Sequence, residues 1–134
     1  MLFRSKAIQF QLTIAQDAVF HGDEADLMEI LGNLIDNGCK ACRQQLAITV
    51  AGDHPLMVVV EDDGPGIAVA QREQLLIRGQ RLDTYSAGHG VGMAIVNDLV
   101  NSYQAKLDIG DSGLGGAKFT ITFADRHGQD PTSA

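Results

Sequence analysis

Between Glu24 and Gln45 the apolar residues recur every three or four positions, whereas the strong apolar segments on either side recur at every second one. Such a change of period predicts a long helix set among strands. Leu27, Ile30, Leu31, Leu34, Ile35, Gly38, Ala41 and Cys42 make one broad apolar face. A helix with so wide a face must bury it against a second layer. Asp26, Glu29, Asn33, Asn37 and Lys40 form a narrow polar stripe beside it, so the two asparagines and the lysine point the same way.

The flanking segments supply the second layer. Ile8, Phe10, Leu12 and Ile14 alternate with Gln9, Gln11 and Thr13, which predicts a half-buried strand. Gly22-Asp23 breaks the chain, and Asp23 suits the cap of the long helix. Leu46 to Ala51 and Leu56 to Glu61 read as a hairpin around Gly52-Asp53-His54-Pro55, with Met57 to Val60 expected to be covered on both faces. Asp62 to Gly66 is a turn, Val69 to Leu76 a short helix, and Arg78 to Gly90 a mobile loop. Val91 to Tyr103 reads as a helix; Lys106 to Ile109 and Lys118 to Phe123 read as strands around Gly113-Leu114-Gly115-Gly116. The expected class is α+β: a two-layer α/β sandwich with a mixed, mostly antiparallel sheet of about five strands and about three helices on one face. One domain over residues 1–125 and a disordered tail over 126–134 are expected.

Charge narrows the partners. Lys and Arg number 10 against 17 Asp and Glu, a formal net charge of -7. Such a surface repels nucleic acid, and a tetra-anionic nucleotide would need a divalent cation to bind it. No apolar run approaches a membrane span of ~20 residues, and Met1 to Lys6 lacks the apolar core of a signal peptide. Both cysteines fall in Cys39-Lys40-Ala41-Cys42, whose spacing suits zinc or redox chemistry. Zinc would need two further ligands at useful spacing, and the motif continues a helical pattern, so small buried filler is the expectation.

Three motifs carry chemistry, each with a plainer reading beside it. Amide oxygens at Asn33 and Asn37 can ligate magnesium without adding charge beside a triphosphate, and Lys40 offers a cation. A solvated polar face is the alternative, although two asparagines inside a helix sacrifice propensity. Asp62-Asp63-Gly64-Pro65-Gly66-Ile67 places a carboxylate in a tight turn where a flat ring can approach and an exocyclic amine can donate; a plain strand-to-loop turn is its rival. Gly88-His89-Gly90-Val91-Gly92 opens a helix whose free amides suit phosphate oxygens, or else marks a hinge. It lacks the Gly-Lys-Ser or Gly-Lys-Thr of a P-loop, and Met93 stands where a dinucleotide fingerprint places its third glycine. Together, in this order, the three describe a nucleotide site.

The set resembles the N, G1 and G2 boxes of the GHKL (HATPase, Bergerat-type) ATP-binding fold, in the form used by sensor histidine kinases. The likeness runs from about Ile8 to Phe123 and includes Gly113 to Phe119 as the terminal glycine motif. It implies an ATP-binding catalytic domain that donates the γ-phosphate to a histidine, with ATP and Mg2+ as cofactors. By that resemblance Asn33 and Asn37 would hold magnesium, Lys40 and Arg81 the phosphates, and Asp62 the adenine amine. Gly64, Gly66, Ile67, Gly88, His89, Gly90, Val91, Gly92, Met93 and Ala117 would border the nucleotide. Residues 78–87 would be the lid, with Asn33, Asn37, Lys40 and Arg81 serving the transfer itself. In gyrase-type and MutL-type members, a glutamate four residues before the second N-box asparagine activates water. That position is Asn33 here, which cannot take a proton from water near neutral pH, and Glu29 lies a turn further back. The site is therefore expected to hold ATP for an outside nucleophile.

Four departures stand out. Ala41 replaces a common aromatic, Leu76 a common phenylalanine, Ser86 a second lid arginine, and His89 is an unusual neighbour for a triphosphate. His21, His54, His89 and His127 all lack the setting of a phospho-accepting box. The resemblance thus implies the catalytic piece of a longer, bacterial inner-membrane sensor, facing the cytoplasm without touching the membrane. It implies a separate dimerisation domain bearing the histidine, a response regulator downstream, a monomer in isolation and a homodimer at full length. Alternatives of the same fold are a regulatory ATP-binding module without transfer and an anti-sigma-type serine kinase.

Overall fold

A computed structural model describes residues 7–78 and 89–124. The elements follow in the order β1 (Gln9–Ile14), α1 (Glu24–Ala41), β2 (Gln45–Ala51), β3 (Leu56–Asp62), α2 (Val69–Arg78), α3 (His89–Ser102), β4 (Lys106–Asp111) and β5 (Ala117–Phe123). The five strands form one sheet in the order β1-β2-β3-β5-β4, with β1 parallel to β2 and every other pair antiparallel. The three helices cover one face, so the fold is the expected two-layer α/β sandwich.

Register explains which face is covered. Ile48 lies opposite Val60, Val58 opposite Ile121, and Leu107 opposite Ile121, so their side chains stand on one side of the pleat. All five residues are buried, together with Ile30 and Leu34 of α1 and Met93, Val96 and Val100 of α3. Asp62 opposes Leu46 and thereby also points toward the helices, a carboxylate delivered into an otherwise apolar layer.

Two burial expectations are corrected. Met57 to Val60 is not covered on both faces: Val58 and Val60 are buried, but Met57 is exposed and Val59 half-buried. Helices occupy only one side of the antiparallel core, so the strand alternates despite its aliphatic run. β1 is not half-buried either; all six of its residues are exposed, including Phe10, Leu12 and Ile14. Among the described residues its one strand neighbour is β2, and α1 packs mainly over β3 and β2.

Helix ends differ from expectation for local reasons. Asp23 caps α1 as predicted, its side chain accepting a hydrogen bond from the Ala25 amide at 2.8 Å. The helix ends at Ala41 rather than Gln45. The Asp63 carboxylate accepts from the amides of Arg43 (2.7 Å) and Gln44 (3.1 Å), which pulls the chain into β2. α2 runs two residues beyond the predicted Leu76, α3 begins at His89 rather than Val91 and ends at Ser102, and β4 continues to Asp111. The predicted lid from Gly79 onward, Arg81, Ser86 and Gly88 lie outside the described residues, as does the polar tail.

Candidate nucleotide-binding site

The end of β3 and the start of β5 build one side of the site. Asp62 is only 3% exposed. Its Oδ1 accepts hydrogen bonds from the amides of Gly64 (2.8 Å) and Ala117 (3.2 Å), and its carbonyl accepts from Gly116. This anchoring turns the carboxylate into a recess lined by Asn37, Ala41, Asp62, Pro65, Gly66, Ile67, Ala117 and Phe119. Burial pushes the carboxyl pKa up, against the two amide hydrogen bonds that favour its ionised form; the neighbouring Asp63 adds to the rise. A buried acceptor between an apolar wall and a glycine turn suits an exocyclic amine at the edge of a flat ring.

Close approach makes two glycines necessary. A Cβ on Gly116 would overlap the Asp62 Oδ1, and one on Gly64 would overlap the Ala41 carbonyl oxygen. We expect Gly116→Ala to lower the thermal midpoint by the equivalent of about 1–3 kcal/mol, the usual cost of overpacking. It should also weaken ATP binding, because the displaced group is the Asp62 carboxylate. An unchanged melting curve with unchanged nucleotide affinity would contradict this packing.

The other side of the site comes from α1 and α3. Asn33 donates its amide Nδ2 to the Glu29 carbonyl oxygen at 2.7 Å, which leaves Oδ1 as the end of the side chain near Gly92. A Cβ on Gly92, in the first turn of α3, would lie 3.0 Å from Asn33 Oδ1 and 3.6 Å from Asn37 Oδ1. Two neutral amide oxygens therefore converge over one glycine. That donor set fits a hard dication such as Mg2+ and would fit it less well if a side chain filled the gap. Asn37 is 4% exposed and also lines the recess with Asp62, so one side chain joins the two halves of the site.

The remaining expected residues are placed as follows. Lys40 is exposed on α1, its Nζ 3.0 Å from the Asp36 carboxylate, a partner the helical stripe did not suggest. Glu29 is held on the amide side of Asn33, with Oε2 3.5 Å from Nδ2, and not beside the converging oxygens. Ile67 lines the recess. Met93 is fully buried in the core and does not line the recess. His89, Gly90 and Val91 form the opening of α3. Of the two cysteines Cys42, at the end of α1, is buried and Cys39, within it, is half-buried.

Sequence reasoning missed two supports. Arg72 donates from Nε to the Ile67 carbonyl (2.6 Å) and from Nη2 to Asp111 (2.7 Å), fastening the glycine turn to α2 and β4. Asn97 is buried and donates to the carbonyls of Leu75 (2.6 Å) and Met93 (3.1 Å), tying α3 to α2 across the segment between them. Asn97 had a sequence signal, a polar residue on an otherwise apolar helical face. Arg72 had none, since its partners lie 5 and 39 residues away.

A family profile described as histidine kinase-, DNA gyrase B-, and HSP90-like ATPase matches residues 22–127. The chain belongs to this family. Within it, the sensor protein PhoQ of Escherichia coli K12 is 39% identical over 127 residues, which cover 94% of this chain and 26% of that protein. The virulence sensor histidine kinase PhoQ of Salmonella typhimurium is 36% identical over 128 residues, again 94% of this chain and 26% of the relative. The chain thus spans about a quarter of the length of these relatives. Among solved structures, the mycobacterial sensor histidine kinase MprB aligns with a TM-score of 0.72 at 25% identity, covering 87% of this chain and 80% of that one. The catalytic domain of histidine kinase ThkA aligns with a TM-score of 0.75 at 20% identity, over 87% and 78% of the two chains. Full-length ShkA in complex with AMPPNP aligns with a TM-score of 0.74 at 24% identity, over 88% of this chain and 26% of that one.

The family gives the geometry its meaning. The fold is that of histidine kinase ATP-binding catalytic domains. No helix among the described residues is long and apolar enough to cross a membrane.

Proposed function

We propose that this chain binds Mg2+-ATP and donates the γ-phosphate to a histidine on a separate dimerisation domain, as the catalytic domain of a PhoQ-like sensor histidine kinase. The observation that carries the reading is the convergence of the Asn33 and Asn37 amide oxygens over Gly92, one turn from the recess that holds Asp62. Asp62 accepts a hydrogen bond from the adenine amine, and Ile67 and Ala117 enclose the ring. Asn33 and Asn37 would hold Mg2+, which would supply positive charge to the phosphate oxygens. The amides opening α3, from His89 to Met93, face the phosphates with the positive end of the helix dipole. Lys40, Arg81 and Gly88 complete the phosphate contacts.

Asn33 decides between hydrolysis and transfer. Its amide nitrogen is committed to Glu29 and its oxygen cannot accept a proton at neutral pH, so the position four residues before Asn37 offers no base to activate water. Positioning and charge then do the catalytic work, and the nucleophile comes from outside. The full protein is read as a homodimeric inner-membrane sensor. This domain lies on its cytoplasmic side, monomeric when isolated, and a response regulator receives the phosphate.

Mixing the chain with γ-labelled ATP, Mg2+ and the histidine-bearing dimerisation domain of a PhoQ relative tests the reading. Acid-labile label on that domain's histidine is expected. Tight ATP binding with no transferred label would indicate a regulatory module, and acid-stable label on serine would indicate a serine kinase of the same fold. Either result overturns the proposal.

A further inference from the structure

At the opposite end of β3 from Asp62, two imidazoles converge on one carboxylate. His21 Nε2 lies 2.5 Å and His54 Nε2 3.3 Å from the same Asp53 Oδ1. One candidate ligand atom from each of the three residues falls within 4.8 Å of the other two. The imidazole rings stack at 4.9 Å with an interplanar angle of 11°. His21 comes from the loop entering α1, whereas Asp53 and His54 form the β2–β3 turn, so local sequence does not create the cluster. Six residues of extended chain separate it from Asp62, about 20 Å.

The loops are held together independently of the cluster. Val19 donates its amide to the Gly52 carbonyl at 3.1 Å, and Gly52 donates to Asp17 Oδ1 at 3.3 Å. Phe20, next to His21, packs its ring 5.4 Å from Tyr103 and 5.1 Å from Phe123. His21 is thus presented by an anchored residue rather than by a free loop.

We propose that His21, Asp53 and His54 form a second cation site, specific for a borderline transition-metal dication such as zinc. Ligands about 2.0–2.1 Å from a tetrahedral ion lie about 3.3 Å from one another. The His54–Asp53 separation already matches that edge, and the His21–Asp53 hydrogen bond opens by less than an ångström to reach it. Rotation of the exposed imidazoles turns both lone pairs toward the ion, and water completes the coordination. Two nitrogens and one carboxylate suit zinc, nickel or copper; magnesium and calcium take oxygen donors, so this site does not compete for the cation at Asn33 and Asn37. Binding staples the segment before α1 to the β2–β3 turn.

Zinc alone, titrated calorimetrically into the full 134-residue chain at neutral pH, provides the test. One-to-one binding is expected, with a raised thermal midpoint. His21→Ala and His54→Ala should each weaken binding by about tenfold or more, while their metal-free melting curves stay at the wild-type position. Cys39→Ser should leave zinc affinity unchanged. Mg2+-ATP affinity should be unaffected in the double histidine variant, which keeps this site separable from the nucleotide site. Unaltered zinc binding in the double variant, or no wild-type binding up to about 1 mM, overturns the proposal.

Discussion

Replacing Asn37 with alanine is expected to lower ATP affinity by about 10- to 100-fold in the presence of Mg2+ and to change it little in a chelator. The reason is position: Asn37 sends its oxygen toward the gap above Gly92 while the residue also lines the recess with Asp62. A hydrogen bond or ligand contact involving a charged partner contributes ~1.5–3 kcal/mol, which sets that range. Stability should hardly move, since alanine is the better helix former and removes a buried polar group. Calorimetric titrations with and without Mg2+ separate the effects. An equal loss in both conditions would assign Asn37 to packing and take the cation site away from it.

The second large effect concerns Asp62→Asn. The substitution keeps an oxygen to accept from Gly64 and Ala117 but turns an amide NH2 toward the recess. Two donors then face each other, so ATP affinity should fall by ~1–3 kcal/mol and the preference for adenine over guanine should shrink or reverse. Stability should move the other way. Burial raises the Asp62 carboxyl above its ordinary 3.8, so the folded chain holds that proton more tightly than the unfolded chain does. Ionisation therefore opposes folding; the penalty is absent below the ordinary value and grows as pH rises through the raised one. The asparagine variant should melt higher than wild type at pH 7, with the difference vanishing in acid. A lower midpoint at pH 7 together with unchanged base preference would remove Asp62 from the base-recognition role.

Much of this architecture was legible in the periodicity. The long helix starting at Glu24, the hairpin of β2 and β3, and the helix expected over Val91 to Tyr103 each followed from local spacing, because 3.6- and 2-residue repeats are set by the backbone itself. Boundaries were less legible where a distant group intervened. Asp63 takes the amides of Arg43 and Gln44 and ends α1 early, a contact across 20 residues. Burial was misread where pattern alone could not say which layer exists. Phe10, Leu12 and Ile14 alternate correctly yet stand exposed, since strand order leaves β1 at the sheet edge, paired among the described residues with β2 alone.

The linear order of residues by itself determined which chemical groups were on offer: two amides and a lysine on one helical stripe, an acid in a glycine turn, and glycines opening a helix. The motifs also identified the family and excluded a water-activating base at Asn33. Only the tertiary structure decided how those groups meet. Folding brings Gly116 against Asp62, Gly92 against Asn33 and Asn37, and His21 against Asp53 and His54. The physical reason is that spacing governs direction along one element, whereas strand register and helix packing govern distance between elements, and binding depends on that distance.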